Sequence, residues 1–380
     1  MDSVTFLMPC LNEAETLEVC IRKASASIEL NQLDADILIA DNGSTDGSLE
    51  IAKRLNVRVI HVRQRGYGSA LIAGIGASQK DIIIMGDADD SYAWDSVTQF
   101  LKEVGSGSDL VIGNRFKGGI GKGAMPFLHK YLGNPVLSFL GRLFFGLQIG
   151  DFHCGMRAFR RSSIEKLDLR CTGMEFASEM IVKSKLAGLK ISEVPTTLQK
   201  DGRSRPPHLR TWRDGWRHLK FLLMFAPNWL FAIPGFLLTF FGFTGMSLLL
   251  GGPVFLGEIR LGLQSLVFFT FMFLAGTQIL SFWLIAREAV VKILDGEKSV
   301  WLQKVNEKVD LLILLSIFAF IFSLFGTTIQ FISWAKAGYG GQDIENVVRA
   351  ALGYCLGLVL SLQFFFTTII IGIINIDRKG

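Results

Sequence analysis

The sequence predicts an α/β protein with a mostly parallel sheet in its amino-terminal half, followed by an interfacial helix and four transmembrane helices. Three observations carry this. Residues 1 to about 200 alternate short apolar runs with helix-period segments, the βαβ rhythm of a parallel sheet covered on both faces. Of the 380 residues 50% are hydrophobic, and the mean hydropathy of +0.39 is high for a soluble chain of this length. That excess is confined to the carboxyl-terminal part, in four long uncharged runs.

Val4–Met8 reads as the first strand, closed by Pro9, which lacks a ladder donor. Glu13–Leu30 follows as a helix with Leu17, Cys20, Ile21, Ala24 and Ile28 on one face. Asp36–Ala40 is a second strand, Ser48–Leu55 a helix and Val57–Val62 a third strand. Tyr67–Ser78 is a helix of small residues. Ile82–Met85, apolar throughout and bounded by Asp81 and Gly86, has the pattern of a strand buried on both faces. Leu110–Gly113 adds a strand. Residues 116–126 hold four glycines and two lysines and read as a mobile loop.

The strand Ile82–Met85 ends in Gly86-Asp-Ala-Asp-Asp90. Open α/β sheets bind ligands at the carboxyl ends of their strands. Carboxylates this close repel one another unless a cation lies among them, and oxygen-only ligands suit Mg²⁺ or Mn²⁺. The alternative is a solvated acidic turn in which Asp90 or Ser91 caps the next helix. A dinucleotide fold needs Gly-x-Gly-x-x-Gly after the first strand. Here that turn is Pro9-Cys-Leu-Asn-Glu13, which argues against a Rossmann cofactor site. Asp41, ending the second strand, is placed to accept hydrogen bonds from a base or ribose, and Asp46 to cap the following helix. Asp151, His153 and Cys154 lack a partner pair at ligand spacing, which argues against zinc. The five cysteines show no paired spacing and read as free thiols.

Residues 229–250, 261–286, 311–335 and 350–376 each run 22 residues or more without a charge, meeting the roughly 20-residue length of a membrane span. The alternative, buried core helices, needs a soluble domain large enough to wrap all four. Just before them Arg203, Arg205, Arg210, Arg213, Arg217 and Lys220 cluster around Trp212, Trp216, Leu219 and Leu223 at helical spacing. This predicts an amphipathic helix over 207–227 lying on anionic headgroups. A basic run abutting a span makes nucleic acid a poor partner, and the formal charge of +5 is modest. Met1-Asp2-Ser3 lacks the charged and apolar regions of a secretory leader. The loop between the second and third spans carries Arg287, Lys292, Lys298, Lys304 and Lys308. The positive-inside rule then puts that loop, the amino-terminal domain and both termini in the cytosol. The expected division is 1–206, 207–227 and 228–380.

Pro9-Cys-Leu-Asn-Glu13, Asp41-Asn-Gly-Ser-Thr-Asp-Gly47 and Gly86-Asp-Ala-Asp-Asp90, in this order, resemble glycosyltransferase family 2 with its GT-A fold, a Rossmann-like nucleotide-sugar-binding domain. Gly113-Asn-Arg-Phe116, Asp151-Phe-His-Cys-Gly-Met-Arg157, Gly173-Met-Glu-Phe-Ala-Ser-Glu179 and Gly202-Arg-Ser-Arg205 are similar to its dolichol-phosphate mannose or glucose synthase branch, over residues 4–220. The resemblance implies inverting transfer of a hexose from a nucleotide diphosphate sugar to a membrane polyprenyl phosphate, dolichyl or undecaprenyl. The product would be a lipid-linked sugar donor for cell-envelope glycosylation. UDP-glucose, UDP-N-acetylglucosamine and GDP-mannose all fit as donor.

The resemblance also implies roles. A Mg²⁺ or Mn²⁺ ion would neutralise the departing diphosphate, with Asp89 ligating it and Asp87 sharing it or holding the ribose. Relatives often place Gln two positions after the second acid. Here Ser91 stands there, which leaves Asp90, Ser91 or water as third ligand. Pro9, Glu13, Asp41 and Asp87 would line the nucleotide pocket. An ionised acceptor phosphate needs no strong base but does need cationic anchors, for which Arg115, Arg203 and Arg205 with Ser204 are candidates, and Arg157 a further one. Asp89, Arg115 and Arg203 form the expected catalytic set. Arg115 and Arg157 could equally be ion-pair partners. Asp151 would orient the acceptor, and Glu179 is either a sugar-hydroxyl contact or a helix-surface acid. Two other functions compete. A processive polysaccharide synthase would resemble its kind in a Gln-x-x-Arg-Trp motif, which is absent. A lipid flippase or transporter with a nucleotide-binding domain would carry charges inside its spans, and the four runs carry none. The oligomeric state is not legible, and a homo-oligomer stays open.

Overall fold

Four apolar residues in a row need cover on both faces, and Ile82–Met85 has it: the strand lies at the centre of a seven-stranded sheet with every side chain buried. The computed structural model describes residues 3–205, 210–293, 307–340 and 343–375. The chain divides into two units, Met1–Phe225 and Ala226–Gly380. Residues 207–209 of the expected interfacial stretch, Lys298 and Lys304 of the Lys-rich loop, and residue 376 lie outside the described residues.

In the first unit β1 (Val4–Cys10), β2 (Ala35–Asp41), β3 (Arg58–His61) and β4 (Ile82–Met85) alternate with α1 (Leu17–Leu30), α2 (Ser48–Arg54) and α3 (Tyr67–Ala77). β1 pairs in parallel with β2 and β4, and β2 with β3. Pro9 falls inside β1 rather than ending it. It lies beyond the last pairing with β4, Leu7 opposite Met85, so its missing N–H breaks no bond on that side. After α4 (Val97–Gly105) come β5 (Leu110–Asn114) and the single helical turn α5 (Arg115–Gly118), started by the Asn114 side chain accepting from Lys117 N. The glycine-rich stretch expected as loop thus begins in a helical turn.

β6 (Arg157–Arg160) inserts antiparallel between β4 and β5, and β7 (Ile191–Pro195) pairs in parallel with β5. The sheet order is β3-β2-β1-β4-β6-β5-β7. The sheet is therefore mostly parallel, as expected.

α6 (Asn134–Phe145), α7 (Arg161–Glu165), α8 (Phe176–Leu186) and α9 (Thr211–Met224) complete the unit. α6 turns Leu137, Leu140, Phe144 and Phe145 onto Val182 of α8 and Phe221 and Leu222 of α9. Its other face, Val136, Phe139 and Leu143, is exposed. α9 buries Asp214, His218, Phe221 and Leu222 and turns Trp212 and Trp216 outward, 80% and 60% exposed.

In the second unit a π-helical turn, Asn228–Ala232, runs into α10 (Ile233–Leu250), and a short hairpin, β8 (Val254–Leu256) and β9 (Ile259–Leu261), leads to α11 (Leu263–Ile293). α12 (Val309–Lys336) and α13 (Ile344–Asn375) follow. All four helices are long and apolar enough to cross a membrane. α10 and α11 approach closely at glycine: a Cβ on Gly242 would lie 2.3 Å from Phe273 N, and one on Gly276 2.4 Å from Thr239 N. The helices outrun the uncharged stretches. α11 takes in Arg287, Glu288 (1% exposed) and Lys292, and α13 takes in Glu345 and Arg349. The helices therefore carry ionisable residues where the hydropathy runs had none. Hydropathy marks a hydrocarbon slab of about 30 Å, whereas the 31 residues of α11 extend about 46 Å.

Candidate active site

The acidic turn leaves β4 at the carboxyl edge of the sheet and sends its three acids different ways. Asp87 is half-buried, and its Oδ1 accepts from the Tyr67 hydroxyl at 2.9 Å. Burial pushes the Asp87 carboxyl up, to about 7, and the neighbouring Asp89 charge adds to this. Burial, then Asp87, pushes the Tyr67 phenol well above its ordinary value, so it stays a donor. Asp89 is buried. Its Oδ1 accepts from Ser91 N at 3.1 Å and Ser91 Oγ at 2.6 Å, and its Oδ2 from Arg203 Nη2 at 2.7 Å. Asp90 adopts a left-handed φ of +63° and gives its carboxylate to Lys23 of α1 at 2.6 Å. Of the two side chains expected as third ligand, Asp90 is drawn toward α1, and Ser91 instead orients Asp89.

Arg203 joins three carboxylates, two of them from distant parts of the chain, Glu13 at 3.2 Å and Asp89 at 2.7 Å, and one its near neighbour, Asp201 at 3.0 Å. Arg205 meets Glu13 at 2.9 Å and the carbonyls of Leu11 and Asn12, while Ser204 donates to Glu15. Burial raises the Glu13 carboxyl, and Arg203 and Arg205 pull it back. Glu13 follows β1 and Asp41 ends β2, next to each other in the sheet. Asp41 is buried and accepts from Gly43 N at 3.1 Å and Ser44 N at 3.0 Å. Asp46 accepts from Ser48 N where α2 begins.

Arg115 spends its fork on Asp151, Nε to Oδ2 at 2.6 Å and Nη2 to Oδ1 at 2.8 Å, with both residues buried. The ion-pair alternative is therefore the arrangement found for Arg115. Arg157 is fully buried and donates to three carbonyls, Cys154 at 3.0 Å, Ala177 at 2.8 Å and Phe152 at 3.0 Å. Among the described residues it has no ion-pair partner, and it is turned away from solvent. Glu179 is not a helix-surface acid: it is buried, accepts from Arg170 N and Cys171 N, and pairs with Lys183 at 2.9 Å.

Several contributors had little signal in the sequence. Gly155 gives Asp87 room, since a Cβ there would lie 2.5 Å from Asp87 Oδ2. The Tyr92 hydroxyl accepts from Gly155 N at 2.9 Å. His153 and His218 meet edge to face at 4.4 Å, and burial lowers both, His218 to about 4. Only Asp201, two residues before Arg203, stood close enough to be suspected. Among the described residues no three His, Cys, Asp or Glu side chains form a metal cage. Asp87 and Asp89, two hard oxygen donors on one turn, suit instead a divalent ion whose other ligands are phosphate oxygens and water.

The family pattern described as Glycosyl transferase family 2 matches residues 5–168. The low-salt glycan biosynthesis hexosyltransferase Agl6 of Haloferax volcanii is 37% identical over 281 residues, 74% of this chain and 67% of that protein. A dolichyl-phosphate hexose transferase of the same organism is 31% identical over 198 residues, 51% of this chain and 82% of that one. Among solved structures, glucosyl-3-phosphoglycerate synthase from Mycobacterium tuberculosis, in complex with Mn²⁺, uridine diphosphate and phosphoglyceric acid, has a TM-score of 0.44 at 22% identity, covering 54% of this chain and 72% of that one. The matched pattern runs from β1 through the acidic turn to α7, and the Agl6 alignment extends across about two thirds of that relative; this chain belongs to glycosyltransferase family 2.

Proposed function

We propose that this enzyme transfers a hexose, with inversion, from a nucleotide diphosphate sugar to a polyprenyl phosphate in a membrane. The observation that carries the reading is the Asp87–Asp89 pair at the end of the central strand, with the Arg203 loop on it. Asp87 and Asp89 would hold Mg²⁺ or Mn²⁺, which when bound offsets the charge developing on the diphosphate as it leaves. Ser91 fixes the direction of Asp89, and Tyr67 that of Asp87. Asp41 and Glu13, at adjoining strand ends, would meet the nucleoside, with Pro9 beside them.

A phosphate acceptor is already ionised near neutral pH, so the chain need supply only placement and positive charge. Arg203, paired with Asp89, and Arg205, paired with Glu13, would supply that charge, with Ser204 between them. The Arg115–Asp151 pair would hold the segment Asp151–Arg157 in position rather than touch phosphate, and Glu179 would prop residues 170–171. The names of the two Haloferax relatives support a hexose and a lipid phosphate. The exposed apolar faces of α6 and α9, with Arg213, Arg217 and Lys220 beside them, support contact with a headgroup layer.

The test is direct. Purified protein with Mg²⁺ or Mn²⁺ is offered labelled UDP-glucose, UDP-N-acetylglucosamine and GDP-mannose together with polyprenyl phosphate. Label should pass into an organic-extractable lipid from one donor, and Asp89→Ala should lower the rate at least about 100-fold. Undiminished transfer by that variant removes the metal assignment, and long polymer as product would mean a processive synthase.

A further inference from the structure

Arg203 stands in a position that the metal reading makes awkward. Its side chain is 11% exposed, so its bonds to Glu13, Asp89 and Asp201 are partly desolvated, where charge-assisted pairs are strongest. Backbone bonds lay its segment along the acidic turn, Gly202 N to Asp89 O at 3.0 Å and Gln199 N to Ser91 O at 2.9 Å. Arg205 and Ser204 tie the far end of the segment to Glu13 and Glu15. Asp89 Oδ1 is taken up by both donors of Ser91, so Oδ2 is the oxygen free to change partner, and its partner is Arg203 at 2.7 Å. A divalent ion ligated by that same oxygen would sit within a few ångströms of the guanidinium. In so sheltered a place two cations repel strongly.

We propose that Arg203 is a placeholder cation: Asp89 exchanges it for the divalent ion, and the displaced guanidinium turns to the diphosphate that arrives with that ion. The proposal rests on the metal reading above and adds a sign to it. Arg203 opposes the bare ion, because both compete for Asp89. It favours the ion once a diphosphate is present, because phosphate oxygens then accept the bonds that Asp89 gave up. Arg203 thereby makes the site prefer an ion carrying a nucleotide over an ion alone.

Mn²⁺ binding by the full-length protein in detergent, read by electron paramagnetic resonance and water-proton relaxation, tests this without turnover. The ion is titrated alone, and uridine diphosphate is then titrated at saturating Mn²⁺, with guanosine diphosphate as a parallel arm. Arg203→Ala and Arg203→Gln should bind bare Mn²⁺ about tenfold tighter than the parent and the preferred nucleotide about tenfold weaker, within the usual span of coupling between sites. Arg203→Lys, which keeps the charge, should stay within about twofold of the parent for bare Mn²⁺. If the Ala variant fails to fold, the Gln variant decides. A parent that binds Mn²⁺ alongside neutral variants that bind it equally or more weakly would overturn the exchange and leave the metal reading standing. A tighter bare ion with unchanged nucleotide affinity overturns the turn toward diphosphate. No Mn²⁺ bound by the parent, with or without either nucleotide, removes the metal reading and this proposal together.

Discussion

Asp151 and Asp89 both sit beside an arginine, yet removing one should cost stability and removing the other activity. Asp151 is buried and answers both arms of the Arg115 fork. Asp151→Ala would leave a buried guanidinium without a counter-charge, a loss of about 3–5 kcal/mol. It should appear as a lowered melting midpoint in detergent before any assay is run. Asp89→Ala instead relieves Asp87 of a like charge while leaving Arg203 to Glu13 and Asp201, so it should cost activity with little change in melting. A melting midpoint unaffected by Asp151→Ala would show that the pair carries no structural load. The sequence made the acidic turn legible because strand and acids fall within nine residues, Ile82 to Asp90. It could not show that Arg203 also gathers Glu13 and Asp89, since only the fold brings those positions together. Nor could it show that Glu179 faces the amides of Arg170 and Cys171, for nothing in its own helix announces them.

Among the elements, α9 has two faces that the sequence revealed unequally. The spacing of Trp212, Trp216, Leu219 and Leu223 announced the outward one. The inward one holds His218, bonded to Ser178 of α8 at 2.8 Å and stacked edge-on with His153. Burial, the largest cause, and Arg157 lower His218 to about 4, from an ordinary value of 6.5. Between these values the unfolded chain binds a proton that the folded chain refuses. Stability from this residue is therefore complete above pH 6.5 and is lost as pH falls toward 4, by up to about 3 kcal/mol. His153, also lowered by burial, acts in the same direction. The melting midpoint should fall from pH 6.5 to 4.5, and His218→Gln should flatten that slope; an equal slope in the variant would place the acid sensitivity elsewhere. The antiparallel β6 and the helix α6 left weaker traces. Arg157-Ala-Phe-Arg160 is too short to show a strand period, and its place is dictated by the edges of β4 and β5. α6 is apolar on both faces, which conceals the stripe that usually marks a surface helix.

For the whole molecule, hydropathy located four helices and misjudged only their ends, where polar residues continue the helix beyond the apolar run. An even number of crossings returns a chain to the side it started from. The β8–β9 hairpin and the α12–α13 connection should then share one side of the membrane, and the segment between α11 and α12 the other, together with the first unit and both ends of this chain. By the positive-inside rule, the Arg and Lys residues from Arg287 to Lys308 would put their side in the cytosol. This has a chemical consequence. Nucleotide sugars are multiply charged and do not cross a bilayer unaided, so under the proposed function a lipid-linked product would form on the side of the acidic turn. Single cysteines at Glu258, in the hairpin, and at Lys298, between α11 and α12, should react with an impermeant maleimide from opposite sides of sealed vesicles, once exposed Cys355 is replaced. A tag before β1 should follow Lys298. Labelling of both cysteines from one side would break the four-crossing layout, and with it the case for placing the donor site and the Lys-rich loop in the same compartment.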